Sequence, residues 1–227
     1  MANSYLNRTP SSTGNRRKFT FSFWIKKSAN GTSETIYNVR PDSNGANRIS
    51  WHSTDTLRIA FEPISKYIFT TRKFRDLSAW YHIVIAVDTE QATAANRVKL
   101  YVNGVLQTLS SETDPVFNSS TRVSDNSGNI AIGSLGYAPN LLLCGYLAET
   151  VFIDGSQLTA SDFGQTDSDT GIWKPKDVSG LSFGTTGFYL KYDNSSSLGA
   201  DSSGNGNNFT SVNLDASHQS TNTPTFS

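Results

Sequence analysis

The sequence has few of the residues from which covalent and metal sites are built. It contains one cysteine and three histidines among 227 residues. A single cysteine, Cys144, cannot form an intrachain disulfide, and its position after three leucines predicts a small core residue. His52, His82 and His218 are scattered, with no acidic or cysteine partner at chelating spacing, so we expect His82 to be a packed, hydrogen-bonded residue of its strand.

The chain also lacks net charge, long apolar runs and a secretion signal. Nineteen basic and nineteen acidic residues cancel, so no overall field attracts nucleic acid or an anionic membrane, and we expect neither as a partner. No apolar stretch approaches the ~20 residues of a membrane span. The segment from Met1 to Tyr5 has neither the basic nor the apolar region of a signal peptide, which predicts a soluble protein retained in the cytoplasm where it is made.

Motifs for catalysis are missing as well. We find no Gly-x-Ser-x-Gly elbow, no phosphate-binding glycine loop and no pair of histidines. Glycoside hydrolysis needs two carboxyl groups facing one cleft, whereas Glu149 stands alone on its predicted strand and Asp154 lies in a turn. We therefore expect a protein that is not an enzyme and that has no catalytic residues and no cofactor.

The residues that are abundant in the sequence predict β-structure. Aromatic residues make up 11% of the chain, and alternating apolar segments are separated by Asn-Gly and Asp-Gly turns. Phe19 to Lys26 alternates and predicts a half-buried strand, whereas Trp80 to Val87 is apolar on both faces and predicts a central one. Asn103-Gly104 predicts a hairpin turn. The other predicted strands are 35–39, 48–52, 56–61, 64–70, 97–102, 105–109, 130–133, 146–153 and 187–192.

The two ends of the chain are polar. We expect residues 1–18 to form an extended arm, either a clasp on a neighbouring subunit or a frayed terminus, and residues 215–227 to form a flexible tail. Residues 19–214 then make up one domain. Its last strand, 187–192, either completes the same sandwich in permuted order or is the remnant of a second module; we favour the first because too few residues follow for a second core.

Two kinds of binding site come into consideration. Asp201, Ser203 and Asn205 have the spacing that opens a calcium loop, and Asp193 could add a carboxylate. Position twelve of that template is Val212 rather than glutamate, so a structural Asn/Gly turn is the favoured interpretation. Glycan binding would need exposed aromatic platforms; the candidates are Trp24, Trp51, Tyr137 and Trp173, although core packing is the favoured role for each.

Four strings carry a resemblance to known proteins: Trp80-Tyr-His, Tyr101-Val-Asn-Gly, Ile153-Asp-Gly and Trp173-Lys-Pro-Lys. Together they resemble concanavalin A-like, laminin G-like domains, and the last two resemble structural proteins of tailed bacteriophages, many of them marine. The resemblance implies an all-β jelly-roll sandwich of two antiparallel sheets.

The same resemblance implies a function. It implies a non-enzymatic virion structural protein, made in the host cytoplasm and displayed on the particle as a capsid decoration, head fibre or tail-fibre component that contributes to host attachment. Its partners would be other virion proteins, a host-surface glycan and further copies of itself, with a trimer among the arrangements that fit. The alternative is a free-standing carbohydrate-binding adhesin, and the third, disfavoured, is a glycan-cleaving enzyme.

Overall fold

A computed structural model describes residues 3–42, 45–61, 66–111, 115–136 and 141–224. The fold is the predicted all-β jelly roll of two large antiparallel sheets. One sheet has eight strands and the other has six. Within these ranges no helix is long and apolar enough to cross a membrane.

Most strands overlap the predicted segments, with ends shifted by a few residues, whereas four strands were not predicted: Tyr5–Arg8, Gly164–Thr166, Trp173–Pro175 and Thr210–Val212. In chain order the strands are β1 Tyr5–Arg8, β2 Lys18–Lys27, β3 Glu34–Asp42, β4 Gly45–Trp51, β5 Leu57–Phe61, β6 Lys66–Thr70, β7 Tyr81–Asp88, β8 Val98–Val102, β9 Val105–Leu106, β10 Leu109–Ser111, β11 Asn129–Ile132, β12 Gly145–Asp154, β13 Gly164–Thr166, β14 Trp173–Pro175, β15 Phe188–Leu190 and β16 Thr210–Val212. The order of strands across the eight-stranded sheet is β10-β6-β5-β4-β3-β11-β1-β16, and across the six-stranded sheet it is β15-β12-β2-β7-β8-β9. Asn103 and Gly104 both have positive φ, as the predicted hairpin turn between β8 and β9 requires.

Alternate side chains of both sheets form an aromatic core. The ring of Phe21 on β2 lies 4.8 Å from Tyr37, 5.3 Å from Phe23 and 6.2 Å from Phe152, measured between centroids. Tilted ring pairs at such spacings add attraction to the area that they bury. The centre of the sandwich is therefore filled with side chains.

The prediction that β2 is half-buried was wrong. Thr20, Ser22 and Trp24 on its second face are buried as well. A second apolar cluster covers that face, built from Val84, Val151 and Tyr189 of the sheet together with residues 160–183, and β13 pairs with β14 within this cover. Sequence alternation cannot show that a distant segment packs over a polar face.

The N-terminal segment is part of the sandwich. Strand β1 lies between β11 and β16, with Leu6 opposite both Ile132 and Ser211. Residues 5–8 are therefore paired within their own sheet, in contrast to the extended arm expected from the sequence. The segment 187–214 adds β15 beside β12 and β16 beside β1, so each sheet receives one strand from it.

Cys144 also differs from its prediction. It is exposed, and it lies just before β12 at the end of the sandwich. Its backbone N–H donates to Glu34 Oε2 at 2.9 Å. The three leucines before it thus lead up to a strand start rather than into the core.

A buried ion pair joins the two sheets near the end of β2. Lys27 is 1% exposed, and its Nζ donates to Asp55 Oδ1 at 3.2 Å and to the Phe74 carbonyl at 2.9 Å. The same Nζ lies 5.1 Å from the Trp51 ring centroid. The N–H of Gly31, together with Lys27, lowers the pKa of Asp55, so the carboxylate stays ionised opposite the ammonium.

Replacing one member of this pair should destabilise the protein strongly. We expect Lys27→Met to lower the free energy of unfolding by about 3–5 kcal/mol, because the buried carboxylate of Asp55 loses its buried cation and keeps only Arg75, whose side chain is 63% exposed, as an ionic partner. Arg17→Met is the control: that arginine lies 3.9 Å from Glu90, and the two side chains are 42% and 46% exposed, so about 1 kcal/mol or less is expected. Urea unfolding measures both, and equal losses would contradict this account of the pair.

Candidate functional site

A cavity opens at one end of the sandwich. Its volume is about 270 Å³. The walls come from the starts of β1, β7 and β12, the ends of β11 and β15, and the C-terminal residues 214–223. Because so many separate segments meet there, the cavity depends on the complete fold rather than on one loop.

Two aromatic side chains at strand starts stand at this cavity. Trp80 immediately precedes β7, and Tyr146 is the second residue of β12. Their rings meet edge to face, with centroids 6.4 Å apart. Tyr146 is 44% exposed, and Lys26 Nζ lies 6.0 Å from its ring centroid. An exposed ring supported by a second ring is a rigid apolar surface on which a ligand can stack.

Polar groups from the C-terminal residues face these rings. Trp80 Nε1 donates to Asn222 Oδ1 at 3.2 Å, and Gln219 Nε2 donates to the Tyr192 carbonyl at 2.7 Å. Each amide thus uses one of its polar atoms, so the Asn222 amide nitrogen and the Gln219 amide oxygen stay available. Residues 215–224, expected to be part of a flexible tail, are held against the sandwich by these contacts.

The lining combines apolar area with neutral polar groups. Leu6, Ile132, Leu147 and Leu198 contribute aliphatic surface, while Ser220 and the amides of Gln219 and Asn222 contribute hydrogen-bonding groups. Lys191 and His218 are the ionisable lysine and histidine there, and the described lining includes no aspartate or glutamate. Such a mixture suits a ligand with one apolar face and several hydroxyl groups.

Three of the four glycan candidates from the sequence, Trp24, Trp51 and Trp173, do not line this cavity. Trp24 is 4% exposed and stacks on His82, and Trp51 is 1% exposed and packs on Phe74. Neither ring can therefore offer a face to a glycan. Trp173 is half-buried on β14 over His82, and Tyr137 lies outside the described residues.

Trp80 was missed because it opens a strongly apolar strand, which predicted a core position. The position of Trp80 at the start of the predicted strand is the feature of the sequence that could have identified it as a candidate. Side chains there lie at the end of a sandwich.

His82 is hydrogen-bonded on both ring nitrogens. Trp173 Nε1 donates to His82 Nδ1 at 2.9 Å, and His82 Nε2 lies 2.9 Å from Ser22 Oγ. Because an indole N–H can only donate, Nδ1 must accept, and the proton of the neutral ring sits on Nε2 and points at the serine. His82 is then a donor to Ser22 and cannot act as a base that activates it. Burial lowers the pKa of His82 to about 3.

The loop of Asp201, Ser203 and Asn205, which was considered as a calcium site, is hydrogen-bonded within the protein. Asp201 Oδ1 accepts the N–H groups of Tyr189 and Ser203, and Oδ2 accepts from Ser203 Oγ and from the Asn207 N–H, all at 2.7–2.9 Å. Asn205 Nδ2 donates to the carbonyls of Gly184 and Gly187. These contacts tie the loop to β15, while Asp193 is exposed. Among the residues with described positions, no group of three or more His, Cys, Asp or Glu could hold a metal ion.

The two acids on β12, Glu149 in its middle and Asp154 at its end, also have local partners. Glu149 has φ of 48° at a β-bulge in the pairing with β2, and it accepts a hydrogen bond from Tyr189 Oη. Burial raises the pKa of Glu149. Asp154 accepts from the Asn15 N–H and from the N–H and hydroxyl of Thr186. Each carboxyl group therefore fixes a neighbouring segment.

Comparisons with known proteins agree with this architecture. Residues 2–138, more than half of the chain, match the model of the concanavalin A-like lectin/glucanases superfamily. A candidate carbohydrate binding protein from Bacteroides ovatus is similar in structure, with a TM-score of 0.61, 17% identity, and coverage of 92% of this chain and 56% of that one. A SAP-like pentraxin from Limulus polyphemus gives a TM-score of 0.49 at 19% identity, covering 70% of this chain and 72% of that one.

Domains LG4-5 of the mouse laminin α1 chain give a TM-score of 0.47 at 14% identity, with coverage of 71% of this chain and 41% of that one. Compared with the curated protein sequences, the chain has no match. At these identities the structural likeness establishes the fold alone.

The saturated Asp201 loop predicts that stability is independent of calcium. We expect the same Tm with millimolar calcium and with EDTA, because a calcium ion would have to displace four hydrogen bonds from this carboxylate. Asp201→Ala should lower the free energy of unfolding by about 2–4 kcal/mol, whereas the exposed Asp193→Ala should stay within about 0.5 kcal/mol. A rise in Tm on adding calcium that Asp201→Ala abolishes would contradict this.

The buried His82 predicts a loss of stability in mild acid. Its pKa of about 3 in the folded state lies below the ~6.5 of an unfolded histidine. Only the unfolded chain therefore gains a proton as the pH falls from about 6.5, and each pH unit should remove up to about 1.4 kcal/mol of stability. NMR of the imidazole nitrogens should show a neutral ring with the proton on Nε2 at pH 5. A charged ring at that pH would contradict the assignment.

Proposed function

We propose that this chain, which belongs to the concanavalin A-like lectin/glucanases superfamily, is a non-enzymatic carbohydrate-binding module. Its binding site would be the cavity at the end of the sandwich. The observation that carries the proposal is the Trp80–Tyr146 pair standing beside uncommitted amide groups. A sugar ring has apolar C–H faces and a rim of hydroxyl groups, so it needs both kinds of partner in one place.

The contacts suggest how a sugar would bind. One face of the ring would stack on the exposed Tyr146, whose edge-to-face contact with Trp80 holds it in position. Hydroxyl groups turned toward the C-terminal residues would pair with the Asn222 amide nitrogen and the Gln219 amide oxygen. Each hydroxyl withdrawn from water needs such a partner, because an unpaired buried polar group is unfavourable by roughly 1–3 kcal/mol.

Binding without cleavage is part of the proposal. Hydrolysis of a glycosidic bond uses two carboxyl groups on either side of it, about 5–10 Å apart. The described lining of the cavity supplies amides, hydroxyls, a lysine and a histidine instead. Ser22 and His82, the serine–histidine pair that lies closest to a nucleophilic arrangement, are buried and have the proton on the wrong nitrogen for base catalysis.

We also propose that the module is displayed on the surface of a tailed-phage particle and attaches it to host glycans. The support is the sequence resemblance of Ile153-Asp-Gly and Trp173-Lys-Pro-Lys; the second string forms β14 over the six-stranded sheet. Copies arranged as a homo-oligomer would raise the avidity of individually weak sites. Immunogold labelling of intact particles tests the placement, and label on free protein alone would count against it.

A glycan array with the purified full chain tests the binding proposal. We expect wild type to bind a defined set of saccharides, and Tyr146→Ala and Trp80→Ala to weaken binding at least about tenfold through loss of stacking. Tyr67→Ala is the matched control, since Tyr67 is 41% exposed but lies on the eight-stranded sheet away from the cavity. Equal binding by all four proteins would overturn this site, and the absence of any binding would overturn the function.

A further inference from the structure

We infer that the cavity receives the end of a glycan chain and excludes its interior, an inference that rests on the proposed function. The feature responsible is the C-terminal segment, residues 213–224, which crosses the end of the sandwich. Binding at a chain end and binding along a chain differ in one geometric requirement. An internal sugar needs an opening on both sides for the chain to enter and leave, whereas a terminal sugar needs one opening.

The path of the C-terminal segment runs from one sheet to the other. It leaves β16, the edge strand of the eight-stranded sheet, and is fixed at once where Asn213 Nδ2 donates to the Asn3 carbonyl and Ser4 Oγ donates to the Asn213 carbonyl, both at 2.9 Å. A short 3-10 turn over residues 216–218 follows, with Asp215 accepting the Ser217 N–H. The segment therefore starts from a firm anchor on the first sheet.

Its far half is attached to the six-stranded sheet. Gln219 Nε2 bonds the carbonyl of Tyr192, just beyond β15, and Asn222 Oδ1 accepts from Trp80 Nε1, just before β7. Strands β15 and β7 are separated in that sheet by β12 and β2, and Tyr146 lies on β12. The segment thus passes over the same end of the sheet that carries the aromatic pair, and residues 218–220, 222 and 223 line the cavity.

The consequence for a ligand is steric. The cavity that Tyr146 lines is bounded also by residues 218–220, 222 and 223 of the C-terminal segment and by the aliphatic side chains of Leu198 and Ile132. A further sugar attached on the side of the segment would collide with residues 213–224, which hydrogen bonds attach to Asn3 and Ser4 before β1 and, through the side chains of Gln219 and Asn222, to Tyr192 and Trp80. Selectivity for chain ends over chain interiors would therefore come from this steric clash with internal sugars, rather than from a stronger attraction to terminal ones. Asn222 and Gln219 would then determine specificity by holding this wall in place.

The test uses an array of paired probes. Both probes of a pair contain the same disaccharide in a chain tethered to the array. In one probe the disaccharide is the free end of the chain, and in the other one more sugar is attached beyond it, so that the disaccharide is internal. Wild type should prefer the terminal form by at least about tenfold, as expected for a steric exclusion. The full-length double variant Gln219→Ala/Asn222→Ala removes both attachments of the wall to the six-stranded sheet. It also removes the two amides proposed to contact the sugar, so it should bind both forms more weakly than wild type but within about threefold of each other. Asn213→Ala, which removes an attachment outside the cavity lining and keeps both amides, should narrow the preference for the terminal form without that loss of affinity.

The control is Gln107→Ala. It deletes an amide whose hydrogen bond is to the Val105 carbonyl, outside the cavity, and it should keep the wild-type preference. Equal binding of terminal and internal probes by wild type would overturn the inference and leave the proposed function standing. An unchanged preference in the double variant would overturn the role of the C-terminal segment. Failure of wild type to bind either form would remove the proposed function itself, and the inference with it.

Discussion

The pairing of β1 with both β11 and β16 is the contact on which the proposed site depends. It sets a segment from the beginning of the chain beside one from its end, in a register that places Leu6 opposite Ile132 and Ser211. Arg8 continues this contact, because its guanidinium donates to Asn207 and to the Thr186 carbonyl and lies over the Phe209 ring. With β16 fixed in this way, the following residues must leave the sheet over the end of the sandwich, where they form a wall of the cavity.

The cover over the six-stranded sheet explains why the site is at the end of the sandwich. Trp173 packs on His82 and bonds its Nδ1, and Trp24 stacks on the same imidazole with centroids 4.7 Å apart. Residues 160–183 pack over the neighbouring strands. On an uncovered sheet the rings of Trp24 and Trp173 could stack on a ligand. Here they pack on His82 beneath residues 160–183, so this face of the six-stranded sheet is buried. The strand starts at Trp80 and Tyr146 are left as accessible aromatic positions.

The sequence predicted those features that local physical chemistry determines. The Asn103-Gly104 turn was predictable because asparagine and glycine adopt positive φ. Strand β1 could not be predicted in this way, because its four mostly polar residues form a strand only when β11 and β16 flank them. The cavity was unpredictable for a similar reason: Tyr5, Trp80, Tyr146, Tyr192 and Asn222 are far apart in the chain, and no local pattern links them.

The most direct test of the account is to follow the indole N–H resonances while the protein is titrated with a saccharide that it binds. The chain has four tryptophans, and three of them, Trp24, Trp51 and Trp173, are committed to packing or to His82. The account predicts that the Trp80 resonance moves with saturation while the other three stay in place, because a ligand on Tyr146 disturbs the Trp80–Asn222 hydrogen bond. Movement of Trp173 or Trp24 with Trp80 unchanged would place the glycan elsewhere and contradict the account.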